Sequence, residues 1–134
     1  MHLSHIDVPC TNSEASKDWY LAALKPLGAC VQMQFPEEAG NVYGIGSSPD
    51  NIVLWLGPVN PGCGEYKGAV SGHICFKGDT RGQVDAFHAA AIAAGGTDNG
   101  KPGLRPHYHP NYYAAFVRDL DGRNIELVTF STEE

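Results

Sequence analysis

The chain has 134 residues, of which 43% are hydrophobic, and its formal net charge is −6 at pH 7. A chain of this length can bury about two thirds of its unfolded surface, so one compact domain with a small core is expected. The acidic balance disfavours nucleic acid and anionic membranes as partners. The start MHLSHIDVPC lacks the pattern of a signal peptide, and four scattered cysteines without a CxxC pair indicate reduced thiols. We therefore expect a cytoplasmic protein.

An internal repeat divides the chain into two modules. An offset of 68 residues brings similar residues into register without a gap: His5-Ile6 with His73-Ile74, Trp19 with Phe87, and Gly28 with Gly96. Self-similarity at a fixed spacing is typical of a duplicated structural unit. We predict a first module over about 1–57, a linker over about 58–68 and a second module over about 69–132.

The first module begins with a strand, LSHIDV, in which Ile6 and Val8 share one face and His5 points to the other. Capping hydroxyls in the segment 13–16 predict the start of a helix that continues through KDWYLAALKPLG, and Pro26 should end or distort its last turn. Three segments rich in β-branched and aromatic residues follow: ACVQMQF, NVYGIG and NIVLWL. The module therefore reads β-α-β-β-β.

The second module repeats this order. Its first strand is GHICFK, and Thr80 can cap the helix RGQVDAFHAAAIAAGG. The segments YYAAFVR and RNIELVTF predict its later strands. Two βαβββ modules give an α+β fold.

Three residues of these strands are candidate metal ligands. The repeat aligns His5 with His73, and pairing the modules could bring both imidazoles to one cavity. Glu126 lies on the apolar last strand, where a carboxylate is costly to bury unless it is paired or bound to a cation. Two histidines and one carboxylate leave three positions of an octahedral ion open. A degenerate pocket that kept these residues without a metal is the alternative.

The segment RPHYHPNYY precedes the strand YYAAFVR, and its prolines favour extended backbone. In an extended segment His107 and His109 would share one side and Tyr108 the other. We predict a loop at the pocket mouth that supplies catalytic or substrate-binding side chains, with His107, Tyr108, His109 and Tyr113 as candidates. A surface loop whose tyrosines only pack is the alternative.

These residues resemble the vicinal oxygen chelate superfamily, which includes glyoxalase I, extradiol dioxygenases, fosfomycin-resistance transferases and bleomycin-binding proteins. The resemblance covers nearly the whole chain, and its most family-like segment is D-x-D-G-x-x-I-E, from Asp119 to Glu126. It implies two βαβββ modules that form a curved mixed sheet. It also implies a divalent ion held by His5, His73 and Glu126.

The sequence lacks two features of one family member, glyoxalase I, and this limits the reactions to expect. NIVLWL supplies no fourth carboxylate ligand, and HIDVPC has no arginine for glutathione, so both features of glyoxalase I are missing. Two functions stay open. One is a metal-dependent lyase, isomerase or dioxygenase that chelates a small oxygen-bearing substrate on Fe²⁺, Mn²⁺, Zn²⁺ or Ni²⁺. The other is a binding protein of the bleomycin-resistance type, with a pocket lined by residues such as Trp55, Tyr113 and Phe130. A homodimer is expected in either case, because a monomer would leave a sheet edge or apolar concavity exposed.

Overall fold

The computed structural model describes residues 3–59 and 72–134. The elements in chain order are β1 (Ile6–Cys10), α1 (Ser13–Ala23), a 3₁₀ turn (Lys25–Leu27), β2 (Cys30–Glu37), β3 (Gly40–Ser48), β4 (Asn51–Pro58), β5 (His73–Lys77), α2 (Arg81–Ala93), β6 (Thr97–Leu104), β7 (Tyr113–Arg118) and β8 (Asn124–Thr129). The predicted α+β fold of two βαβββ modules is confirmed. Residues 60–68 of the predicted linker lie outside the described residues.

Each module forms a four-stranded mixed sheet. The strand orders are β1-β4-β3-β2 and β5-β8-β7-β6. In both sheets the first strand runs parallel to the last strand of its module, while the other neighbours are antiparallel. This topology places β5 directly beside β8, so the strand that carries His73 lies next to the strand that carries Glu126.

Capping side chains and a proline set the ends of the two helices. Asn12 caps α1 by accepting a hydrogen bond from the Ala15 amide at 3.0 Å, which differs from the predicted caps in 13–16. An amide oxygen just before the helix satisfies a free N–H group as well as a hydroxyl does. Thr80 caps α2 as predicted and forms a capping box with Gln83. Pro26 lies in the 3₁₀ turn that follows α1.

One hydrophobic core lies beneath the helices and joins the modules. It includes Trp19 and Tyr20 of α1, Phe87 of α2, and strand residues such as Leu54 and Ile125. The Trp19 indole donates to the Ala91 carbonyl at 3.0 Å across the module boundary. The helix-covered faces of both sheets therefore meet in this core, and we call their opposite faces the uncovered faces. Neither helix of the described chain has the length and apolar character needed to cross a membrane.

Strand β6, with the sequence TDNGKPGL, was expected only from the repeated strand order, because it lacks the residue types that mark a strand. It pairs with β7 through backbone hydrogen bonds, and its register shifts twice, around Gly100 and again before Gly103. An edge strand can keep its ladder without apolar side chains when the neighbouring strand supplies the backbone partners. The core contribution of this part of the module comes from β7 instead.

A buried ion pair connects the turn before β8 to the first module. The Arg123 guanidinium donates to Asp119 Oδ2 at 2.9 Å, and both side chains are almost completely buried. The Tyr20 hydroxyl donates to the same oxygen at 2.7 Å, and Arg123 also donates to the Pro9 carbonyl at the end of β1. Burial, followed by the charge of Asp119, raises the pKa of Tyr20, so the phenol stays protonated. The family-like segment is thus a junction between modules.

Breaking this pair should destabilise the whole fold. We expect Asp119→Asn to lower the free energy of unfolding by about 3–5 kcal/mol, because Arg123 would keep a buried charge without its counter-ion. Urea denaturation followed by circular dichroism measures the change. Asp98→Asn is the matched control: its contact with His88 is partly exposed, so its loss should change the free energy of unfolding far less than the loss of Asp119. Equal losses in the two variants would contradict the assigned role.

Candidate functional site

Glu126 lies on the uncovered face of the second sheet and is only 2% exposed. Its neighbours Ile125 and Leu127 are fully buried in the core on the other side of β8. Because the topology sets β5 beside β8, His73 Nε2 comes within 2.8 Å of Glu126 Oε2. His73 keeps 45% of its side chain exposed, so this imidazole–carboxylate pair opens to the surface at the histidine.

Tyr112 contacts the other oxygen of the same carboxylate. Its hydroxyl donates to Glu126 Oε1 at 2.6 Å. Burial, followed by this hydrogen bond, raises the pKa of Tyr112, so the phenol stays protonated and remains a donor. Both oxygens of Glu126 therefore have a partner, one imidazole and one phenol.

Cys75 completes this group of side chains. It lies directly across from Glu126 in the ladder between β5 and β8 and two residues along the same face from His73. Although the residue as a whole is exposed, its thiol is partly withdrawn from water beside Glu126. Burial, followed by the negative charge of Glu126, raises the pKa of Cys75 to about 12. The thiol is therefore neutral at physiological pH.

The uncovered face of the first sheet has the same strand arrangement as that of the second sheet but carries different side chains. His5 directly precedes β1, and Asp7 lies across from Trp55 in the ladder between β1 and β4, as Cys75 lies across from Glu126. Trp55 therefore occupies the position that Glu126 holds in the second module. Its ring stacks on Phe35 at 5.8 Å between centroids and 25° between planes. One module thus presents a carboxylate where the other presents an aromatic surface.

The three predicted ligands do not meet within one chain. His73 and Glu126 are in contact, but His5 lies just before β1 of the other sheet, is exposed, and contacts the Ser4 hydroxyl at 3.3 Å. Within 3–59 and 72–134, three or more His, Cys, Asp or Glu side chains are nowhere arranged so that they could hold a metal ion. The chain by itself brings together two of the three predicted donors.

The segment 105–112, here called the turn loop, is folded into two turns, which corrects the predicted extended backbone. Tyr108 N donates to the Arg105 carbonyl at 2.9 Å, and Tyr112 N donates to the His109 carbonyl at 3.0 Å. Pro106 and Pro110 each fall at the second position of a turn, where the fixed φ of proline fits well. The prolines therefore promote turns here and not an extended segment.

The turn loop places its aromatic side chains beside Glu126. The His109 ring lies edge-on to Phe130 at 5.3 Å, while His107 packs against Tyr108 at 4.1 Å. His109 Nδ1 accepts from the Asn111 amide at 3.1 Å, so in the neutral ring the proton is on Nε2, which is a donor. His107, Tyr108 and His109 are all exposed at the edge of the uncovered face.

Tyr113 lies away from this group, on the helix-covered side of β7. Its hydroxyl donates to Asp85 Oδ1 of α2 at 2.8 Å, and the Arg81 guanidinium lies over its ring. The prediction of Tyr113 at the pocket is thus corrected in favour of its neighbour Tyr112, because successive residues of an extended strand point to opposite faces. The sequence YYAAFVR predicts that Tyr112 and Tyr113 point to opposite faces of the sheet. It does not predict which of the two points to the uncovered face.

Comparisons with solved structures agree with this architecture. A glyoxalase/bleomycin resistance protein from Albidiferax ferrireducens T118 is 28% identical, covers 94% of this chain and 97% of its own, and superposes with a TM-score of 0.72. A glyoxalase-related enzyme from Fulvimarina pelagi is 19% identical over 96% and 88% of the two chains, with a TM-score of 0.74. TnmS3, an antibiotic binding protein from Streptomyces sp. CB03234, is 23% identical over 98% and 97%, with a TM-score of 0.67.

Comparisons with family-level sequence patterns and with curated proteins find no match. The fold and these structural neighbours define the glyoxalase/bleomycin resistance/dioxygenase class. The chain has the fold of the vicinal oxygen chelate superfamily, in agreement with the resemblance seen in its sequence.

The raised pKa of Cys75 predicts slow reaction with alkylating reagents. At pH 8 a thiol with a pKa of about 12 is almost entirely protonated, and only the thiolate reacts. We expect iodoacetamide to modify Cys75 at least about tenfold more slowly than the exposed Cys30 of the same chain, as measured by mass spectrometry of peptides. Glu126→Gln should accelerate the reaction at Cys75, because it removes the nearby negative charge. Equal rates at Cys75 and Cys30 in the unaltered protein would contradict the prediction.

Proposed function

We propose that the chain is a divalent-metal-dependent enzyme of the glyoxalase/dioxygenase type, acting on a small oxygen-bearing molecule. The observation that carries the proposal is the contact between His73 and the buried carboxylate of Glu126, which stands between the apolar residues Ile125 and Leu127. Fe²⁺, Mn²⁺, Zn²⁺ or Ni²⁺ would suit this combination of imidazole and carboxylate donors. When bound, such an ion would act as a Lewis acid toward two oxygens of the substrate.

The donors of the second module fit such an ion. His73 Nε2 and Glu126 Oε2 are 2.8 Å apart, close to the separation of about 3 Å expected for neighbouring ligand atoms at metal distances of about 2.0–2.1 Å. Both side chains stand on paired strands, which is a more rigid support than a loop. The third donor, in this proposal, is His5.

His5 would come from a second copy of the chain. The core that joins the modules lies under the helix-covered faces, so the uncovered faces that carry His5 and His73 are directed away from it. In a homodimer with two-fold symmetry, the first module of each copy can face the second module of the other, which makes two equivalent sites. The exposed Met33 and Phe35 of one face and Phe130 of the other would be covered by this pairing.

The turn loop would then line the mouth of the site. His109 Nε2 can donate a hydrogen bond to an oxygen of the substrate, and Tyr108, with 65% of its surface exposed, can close over a planar group. His107 packs on Tyr108 and supports it. We assign these three residues to substrate binding or acid–base catalysis. Metal binding is assigned to His5, His73 and Glu126.

Removing a metal ligand should remove the metal. We expect His5→Ala, His73→Ala and Glu126→Ala each to lower the bound metal by at least about tenfold in elemental analysis of protein purified without chelator, since even loss of a supporting contact has effects of this size. The double variant His107→Ala/His109→Ala and the variant His88→Ala, whose imidazole pairs with Asp98, are the controls and should retain the metal. Full metal content in all three ligand variants would refute the proposal.

A mixed dimer distinguishes a shared site from a site within one chain. We expect His5→Ala chains and Glu126→Ala chains, each unable to bind metal alone, to recover about half of the normal metal content when co-expressed as a heterodimer, because one of the two sites is then intact. Separate affinity tags isolate the heterodimer, and light scattering gives its mass. Failure to recover metal in a mass-verified heterodimer, or a mass near 14.4 kDa, would contradict the shared site.

A second candidate function is the binding of a planar ligand without chemistry. The stacked Phe35 and Trp55 on the uncovered face favour it, as does the similarity to an antibiotic binding protein. In this case bleomycin should quench the fluorescence of Trp55 in chelator-treated protein, and Trp55→Phe should abolish the change, because Trp19 is buried in the core. Binding that requires the metal would instead favour the enzyme.

A further inference from the structure

The two oxygens of Glu126 have different surroundings. Oε2 is the atom next to His73, at 2.8 Å, whereas Oε1 accepts the hydroxyl of Tyr112 at 2.6 Å. A carboxylate with both oxygens free can rotate and can bind an ion through one oxygen or through two. The hydrogen bond from the Tyr112 phenol opposes such rotation, because it engages one of the two oxygens.

Tyr112 itself is held in place by the turn loop. Its carbonyl accepts from the Arg105 amide at 2.7 Å, and its own amide donates to the His109 carbonyl at 3.0 Å. Its ring lies edge-on to Phe130 at 5.4 Å and to Tyr108 at 5.3 Å. With its backbone bonded on both sides and its ring packed on two aromatic neighbours, the hydroxyl has a fixed direction of approach to Glu126.

We propose, building on the metal function proposed above, that Tyr112 is a positioning residue that presents a single oxygen of Glu126 to the metal site. Tyr112 acts through the carboxylate and does not touch the ion. A carboxylate bound through one oxygen takes one coordination position, and one bound through two oxygens takes two. Tyr112 therefore preserves an open position for a substrate that chelates through two oxygens.

Infrared difference spectroscopy on the full chain tests this role with Zn²⁺ as the probe. Subtracting the metal-free spectrum from the Zn²⁺-loaded one cancels carboxylates away from the ion. The separation between the antisymmetric and symmetric stretches then distinguishes one-oxygen binding, which gives a wide separation, from two-oxygen binding, which gives a narrow one. We expect a wide separation in the unaltered protein, a narrow one in Tyr112→Phe, and a loss of Zn²⁺ affinity of about tenfold in that variant.

Tyr108→Phe is the matched control, because Tyr108 belongs to the same turn loop and packs on Tyr112. It should keep the wide separation and the original affinity. Equal thermal midpoints would show that both variants are folded. The inference is overturned if the unaltered protein already gives a narrow separation, if Tyr112→Phe leaves separation and affinity unchanged, or if Tyr108→Phe changes them equally. Failure of the unaltered protein to bind Zn²⁺ would overturn the metal function and this inference with it.

Discussion

The buried contact between Asp119 and Arg123 is the interaction on which the arrangement of the site depends. The Asp119 carboxylate accepts hydrogen bonds from the Tyr20 hydroxyl, from the Arg123 guanidinium, and from the Asp121 and Arg123 amides. A buried ion pair is tolerated when its remaining lone pairs are satisfied in this way. Strand β8 begins at the next residue, Asn124, so the same contact fixes the start of the strand that carries Glu126. The attachment of Arg123 to the Pro9 carbonyl ties that start to the end of β1.

The two modules share a backbone plan and differ in what their uncovered faces present. Trp55 and Glu126 occupy equivalent positions in their ladders, and the residues across from them, Asp7 and Cys75, differ as well. A buried carboxylate needs donors around it, and the second module supplies His73 and Tyr112. An aromatic ring needs a neighbouring apolar surface, and the first module supplies Phe35. The two uncovered faces thus offer different chemistry on the same backbone plan: a bonded carboxylate in the second module and an aromatic stack in the first.

The repeat, the helix signals and the strand alternation were enough to predict the architecture and the neighbourhood of His73 and Glu126. These features are local or periodic, so a sequence expresses them directly. Tyr112 was missed because its role depends on the turn loop, and Pro106 and Pro110 are compatible with extended segments and with turns alike. Strand β6 was expected only as a place in the strand order, since its side chains contribute no apolar pattern and its ladder depends on β7. The position of His5 relative to His73 depends on how whole modules pack, which no short pattern encodes.

The composition of the outer strands limits how copies of this chain can associate. Strand β6 lies at one sheet edge and contains Pro102, two register shifts and a lysine; β2 lies at the edge of the other sheet, with Pro36 and a register shift of its own. Proline lacks the N–H group that a new strand would need, and bulges twist an edge away from a flat partner. The β6 and β2 edges are therefore poor templates for strand addition, so sheet growth through either of them is disfavoured. Association through the uncovered faces would instead enclose a cavity whose walls are side chains from two separate sheets.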